Sequence, residues 1–122
     1  MKLTDVKEDS RGTILKFKIG SNKFLVIFTK KGALRAGETH NIDQSTFLIK
    51  GKVEVIQKVE NIDLPYTYHD YNHSTLIIPK GVPHYFRFLE DSIMIEIEEE
   101  GMTTEYYPEY RKLVEKSMND IH

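Results

Sequence analysis

The 122-residue sequence contains no cysteine and no tryptophan. Missing thiols exclude disulfides and thiolate metal sites, so a metal would need His, Glu, Asp or Gln, with water. A basic excess is missing too. Seventeen Lys and Arg stand against nineteen Asp and Glu, for a net charge near −2. That gives nucleic acid no footing, because phosphate binding needs a positive face. Long hydrophobic runs are absent as well, so nothing in the chain reads as a membrane span. The opening MKLTDVKEDSRG has no apolar stretch of a secretory signal. These absences lead to the expectation of a cytoplasmic protein without nucleic-acid or membrane partners. The length suits one domain, 1–122, with a single core.

What is present is β-like. Seven tyrosines and six phenylalanines suit strands. GTILKFKI (12–19) alternates, with Ile14, Lys16 and Lys18 on one face and Leu15, Phe17 and Ile19 on the other. KFLVIFTK (23–30) is nearly continuous and predicts a central strand covered on both faces. ALRAGETH, QSTFLIKG, KVEVIQKV, YTYHDY, STLIIPKG, HYFRFLED and SIMIEIEE follow, with a turn expected at Asp91–Ser92. Many short strands between turn signals predict an all-β sandwich or barrel, over about 12–99. From Pro108 the pattern changes. Tyr110, Leu113, Val114, Ser117 and Ile121 recur at helical spacing, which predicts a short amphipathic helix over about 105–121.

The polar residues then concentrate in GETHNIDQ (37–44) and PKGVPH (79–84). Glu38 and His40 are two apart, so a strand points both to one face. Gln44 can face them across the 41–43 bend. Two prolines and a glycine fix the turn before His84 and give its side chain a defined direction. Two imidazoles, a carboxylate and an amide oxygen form a plausible metal set, completed by water. The remaining histidines carry less. His69 and His73 lie with Tyr66, Tyr68 and Tyr71 in a stretch that could rim a pocket, though an exposed strand and loop is the simpler reading; His122 is terminal.

On these motifs the chain resembles the cupin superfamily. Its first motif is G-x5-H-x-H-x3/4-E-x6-G. Gly32, Glu38, His40, Gln44 and Gly51 keep that spacing, with Glu38 in place of the first histidine and Gln44 in place of the glutamate. Of the second motif, G-x5-P-x-G-x2-H-x3-N, Pro79, Gly81 and His84 match, while His73 and Phe88 replace the leading glycine and closing asparagine. The resemblance implies a double-stranded β-helix, or jelly-roll barrel, holding a divalent ion (Fe, Mn, Ni or Zn) on Glu38, His40, Gln44 and His84. A narrower resemblance, carried by RAGETH and IPKGVPHYF, is to nucleotide-sugar epimerases and ketoisomerases. It implies Arg35 near a phosphate and Glu38 in place of a catalytic histidine.

Phe86 and Phe88 share parity with His84, and Thr46 and Leu48 with Gln44, so these four are expected beside the site with Arg35 as ligand contacts. Three functions compete. The first is a metal-dependent isomerase-type enzyme for a small polar molecule such as a sugar or sugar acid, with Glu38 also available as a base. The second is a metal-free nucleotide-sugar epimerase. The third is a ligand-binding protein without catalysis. Phe47 and Ile49 are apolar on the opposite face from Leu48, so a homodimer is expected to cover them.

Overall fold

The computed structural model describes residues 1–120 and is built from two antiparallel sheets closed over by one helix. The strands are β1 (Lys2–Asp9), β2 (Gly12–Ile19), β3 (Asn22–Thr29), β4 (Leu34–His40), β5 (Gln44–Lys50) and β6 (Lys52–Val59). They continue as β7 (Ile62–His69), β8 (Leu76–Ile78), β9 (His84–Phe88), β10 (Ser92–Glu98) and β11 (Thr104–Tyr106), followed by helix α1 (Pro108–Asp120). One sheet has the order β1-β2-β3-β10-β5-β8 and the other β11-β4-β9-β6-β7. Neighbours that are distant in sequence, such as β3 with β10 and β4 with β9, wind the chain into a jelly roll.

Alternation sets the core. Ile27, Leu48, Val53, Val55, Phe86 and Met94 point between the sheets and are almost fully buried. Their sequence neighbours point outward. On β5, Gln44, Thr46 and Leu48 are buried, Ser45 and Phe47 half-buried, and Ile49 exposed. β3 is central in its sheet, as its apolar run predicts, but Phe28 on its outer face stays exposed. No second layer from this chain covers that face among the described residues.

Three elements depart from the sequence reading. β1 lies ahead of the expected barrel start at 12; its residues are exposed and mostly charged or polar, as an edge strand's are. The turn between β9 and β10 spans Leu89–Asp91, and Ser92 already belongs to β10. Residues 70–72 leave the sheet as a 3-10 turn, with Asp70 Oδ2 accepting from Gly51 N at 2.8 Å.

The helix forms where expected. Pro108 opens it and Glu109 places a negative charge in its first turn. Its inner stripe is Tyr110, Val114 and Met118, packed on Ile56, Tyr85 and Leu34 of the second sheet. Leu113, expected on that stripe, is 44% exposed. Spacing of four from Tyr110 selects Val114 and Met118, and Leu113 falls beside the stripe. Ile121 and His122 lie outside the described residues. No helix among the described residues is long and apolar enough to cross a membrane.

Candidate metal centre

The site is assembled by a bulge, a bend and a turn. On β4, Arg35 pairs with Phe86 and Ala36 with Tyr85, but Glu38 pairs with His84, which leaves one extra residue at Gly37. Ala36 and Gly37 take φ of 75° and 80° there. The bulge resets parity, so Arg35 faces inward and so do Glu38 and His40, three and five residues on. Helix α1 presses on this point. A Cβ built on Gly37 would lie 2.8 Å from Arg111 Cα, and Arg111 Nη1 donates to Ala36 O at 2.9 Å.

The turn before β9 is stitched to the β4–β5 bend. Gly81 N donates to His40 O at 2.8 Å and Lys80 N to Asp43 Oδ1 at 2.9 Å. These bonds bring His84 alongside His40, with ring centroids 5.2 Å apart. One ligand atom from each of Glu38, His40 and His84 lies within 4.8 Å of the others. Gln44, 4% exposed, opens β5 across the bend.

Each ring has one nitrogen tied down and one left over. His84 Nδ1 donates to Val82 O at 3.0 Å, which leaves Nε2 with its lone pair. His40 Nδ1 sits 3.0 Å from Thr104 Oγ1 on β11. His40 Nε2, His84 Nε2 and Gln44 Oε1 are all buried without a hydrogen-bond partner. Glu38 Oε2 approaches His40 Nε2 to 2.9 Å, but the pair is not aligned as a hydrogen bond. Buried polar atoms without partners are costly. Three of the five such atoms among the described residues belong to the expected ligand set, the others being Thr46 Oγ1 and Tyr68 Oη, and those three are chemically right for a borderline divalent ion. The residues therefore fit a metal.

The electrostatics agree with a shared charge centre. Burial disfavours charge on His40, but Glu38 beside it, with help from Glu96, holds its pKa above the usual value. Burial and the neighbouring His40 charge push His84 down, although Val82 O and Glu38 oppose this.

Beyond the ligand set lies a cavity of about 390 Å³. Arg35, Glu38, His40, Gln44, Phe86 and Glu96 line it. Arg35 is 6% exposed, with Nε donating to Thr29 Oγ1 at 2.7 Å. No carboxylate lies within ion-pair distance of it among the described residues. Burial and nearby Arg11 lower its pKa to about 10, so it stays cationic at neutral pH. Thr46 is buried on the inner face of β5, next to β10. Leu48 and Phe88, expected beside a ligand, pack in the core between the sheets and do not line the cavity. The tyrosine-rich stretch with His69 and His73 does not rim it either. β6 carries it to the Lys52 end of the barrel, whereas His84 pairs near Gln57.

Glu96 is the site residue that sequence reasoning missed. It lies on β10 in register with Thr46 and Leu25, on the inner face with Met94. Burial and the Glu38 carboxylate push its pKa up to about 7. Parity from Met94 was the available signal. Thr104, which steadies His40, was also missed, because β11 is only three residues long.

Comparison of the fold with solved structures settles its class. The capsular polysaccharide assembling protein CapF from Staphylococcus aureus matches with TM-score 0.63 and 22% identity, over 85% of this chain and 29% of that one. Oxalate decarboxylase from Bacillus subtilis matches with TM-score 0.69 and 17% identity, over 80% of this chain and 27% of that one. This chain has the cupin fold. Another structure of the same decarboxylase, described by its Mn(II) centres, matches this chain with TM-score 0.68 and 16% identity, over 80% of this chain and 27% of that one. The chain spans under a third of the length of each of these proteins. No family model and no curated protein matches its sequence.

Proposed function

We propose that this cupin holds one divalent ion on His40, His84 and Glu38, with Gln44 as a weak fourth donor, and acts on a small polar ligand such as a sugar or sugar acid by isomerase-type chemistry. The observation that carries the reading is the set of unpartnered buried atoms, His40 Nε2, His84 Nε2 and Gln44 Oε1, gathered beside the Glu38 carboxylate. Two imidazoles with a carboxylate suit Fe, Mn, Ni or Zn. When bound, the ion supplies a Lewis acid that polarises a carbonyl or hydroxyl oxygen. The Mn(II) centres of oxalate decarboxylase and the polysaccharide role of CapF support the metal and the sugar, respectively.

The chain's own residues divide the remaining work. Val82 O and Thr104 Oγ1 fix the two rings with Nε2 inward. Arg35 is placed to bind an oxyanion of the ligand. Phe86, edge-on to His84 at 5.8 Å, keeps water from one side. Glu38 belongs to the ligand set, so the proton-transfer role expected of it passes to Glu96, whose carboxyl gains and loses its proton near neutral pH. Thr46, Leu48 and Phe88, buried and outside the cavity lining, support these groups from the core. Phe47 and Ile49 support a homodimer as the working unit.

Native mass spectrometry tests the reading. Protein purified without chelator and offered Mn, Fe, Ni or Zn should retain one ion per chain, and should lose it with His84→Ala. No retained ion with any of the four would refute it.

A further inference from the structure

Two of the expected ligands, Glu38 and His40, follow the Ala36–Gly37 bulge along β4, and that bulge is held from the far end of the chain. Ala36 carries a Cβ yet takes φ of 75°, a conformation that residues other than glycine adopt at a cost. Both carbonyls of the bulge accept hydrogen bonds from the C-terminal segment. Arg111 Nη1 donates to Ala36 O and Tyr107 N to Gly37 O, each at 2.9 Å. The Arg111 guanidinium is itself fixed on two further sides. Its Nε donates to Glu115 Oε1 at 3.2 Å, and its Cζ lies 4.3 Å from the centroid of the Tyr106 ring. Tyr106 in turn sits opposite Glu38 in the β11–β4 ladder.

On the metal reading given above, we propose that Arg111 is a positioning residue of the metal centre, acting through the bulge to hold Glu38 and His40 on the cavity side of β4. A regular strand places Arg35 and Glu38 on opposite faces, and a slip of one residue turns every following side chain over. With the bulge in place, Arg35, Glu38 and His40 all line the cavity. Removing the Arg111 donor strands Ala36 O in a partly buried position. The bond lost is one from a charged group, stronger than a neutral one. Ala36 then loses the contact that offsets its backbone strain, and arrangements of β4 with the extra residue elsewhere gain population. Glu38 and His40 are the side chains that such a shift would re-aim. The docking of α1 does not depend on Arg111, because Tyr110 and Val114 bury the helix's inner stripe. The bond to Ala36 O is therefore separable from the stability of the helix that carries it. Linkage makes the coupling reciprocal: an ion that fixes Glu38 and His40 also fixes the bulge and its bonds to Tyr107 and Arg111.

Two readouts on the full chain test it. In calorimetric titrations with Mn, Ni and Zn, Arg111→Ala should weaken binding by about 10-fold or more, as loss of an outer partner of a metal ligand does. Arg111→Lys keeps a cationic donor and should recover most of that loss. Lys58→Ala cuts an ion pair between β6 and Glu109 of the helix without touching the bulge, and should bind metal as the wild type does. In metal-free protein, amide exchange at Glu38, Thr39 and His40 should quicken about fivefold or more in Arg111→Ala, as expected for one lost hydrogen bond, while the Val114 amide keeps its protection. Unchanged metal affinity in Arg111→Ala overturns the inference. So does a loss that Arg111→Lys does not reduce, an equal loss in Lys58→Ala, or exchange that quickens along α1 and not at residues 38–40. Should Arg111→Ala fail to fold, Arg111→Met, which keeps an apolar stem and lacks the donor, should show the same two effects; wild-type behaviour in it counts against the proposal. A wild type that binds none of the ions counts against the metal reading itself, and the exchange rates alone then decide whether Arg111 holds the bulge.

Discussion

Replacing both imidazoles by leucine, His40→Leu with His84→Leu, separates a metal centre from a polar remnant of one. His84 is fully buried and its Nε2 has no partner. Leaving such a group unsatisfied costs about 1–3 kcal/mol. Leucine removes that cost, but it also strips Val82 O and Thr104 Oγ1 of their bonds, at about 1 kcal/mol each. The metal-free double variant should therefore lie within about 2 kcal/mol of the metal-free wild type. Metal changes the comparison. At an ion concentration of about 1,000 times Kd, binding adds about 4 kcal/mol to the wild type. For a chain of this size that is a Tm rise on the order of 15 °C, and the variant should show none. Thermal melts followed by circular dichroism, with and without Mn, Ni or Zn, supply the readout. An equal metal-induced rise in the variant would place the ion elsewhere. A metal-free variant destabilised by well over 3 kcal/mol would show that the imidazoles are satisfied structural groups, and the reasoning from their unpartnered atoms would fail.

Other outcomes follow from the same site. Glu96 has its folded pKa raised from 4.5 to about 7, so metal-free protein binds the extra proton when folded. The Glu96 contribution to stability should be full below pH 4.5 and be lost as pH rises through about 7; Glu96→Gln should flatten that fall, which amounts to roughly 1–3 kcal/mol in urea melts at several pH values. An unchanged slope would deny the burial argument. Gln44→Glu replaces a neutral oxygen with a charged one and should tighten metal binding by about tenfold or more in calorimetric titration, while Gln44→Ala should weaken it only slightly. Gly37→Val would drive a side chain into the α1 backbone at a residue with φ of 80°. It should cost more than about 2 kcal/mol and raise hydrogen exchange across α1; unaltered protection there would contradict the bulge geometry. Metal affinity should fall as pH drops through the raised pKa of His40, because the ion needs the neutral ring.

The sequence carried the polar cluster farther than it carried the surroundings. The convergence of Glu38, His40 and His84 was legible because strand parity and a proline-fixed turn constrain direction over short spans. Arg35 was legible as a residue but not as a neighbour of Glu38. Simple parity puts positions three apart on opposite faces, and only the bulge at Ala36–Gly37 brings them together. Glu96 was hidden in SIMIEIEE because alternation with isoleucine looks like an ordinary solvent-facing pattern. The faces are in fact reversed: the isoleucines point outward and the glutamate points into the cavity, which makes sense once an apolar outer face exists. β1 was missed because an edge strand can be polar on both sides. The helix register was legible at Tyr110 and Val114 and not at Leu113, since three apolar residues in five define two stripes equally well.

X-ray absorption spectroscopy of the zinc- or manganese-loaded protein tests the convergence of these side chains most directly. For zinc the account predicts a first shell with two imidazole nitrogens at about 2.0–2.1 Å plus oxygen donors, and loss of the imidazole scattering in the double leucine variant. A shell of oxygen alone, or an imidazole signal that survives both substitutions, would contradict it.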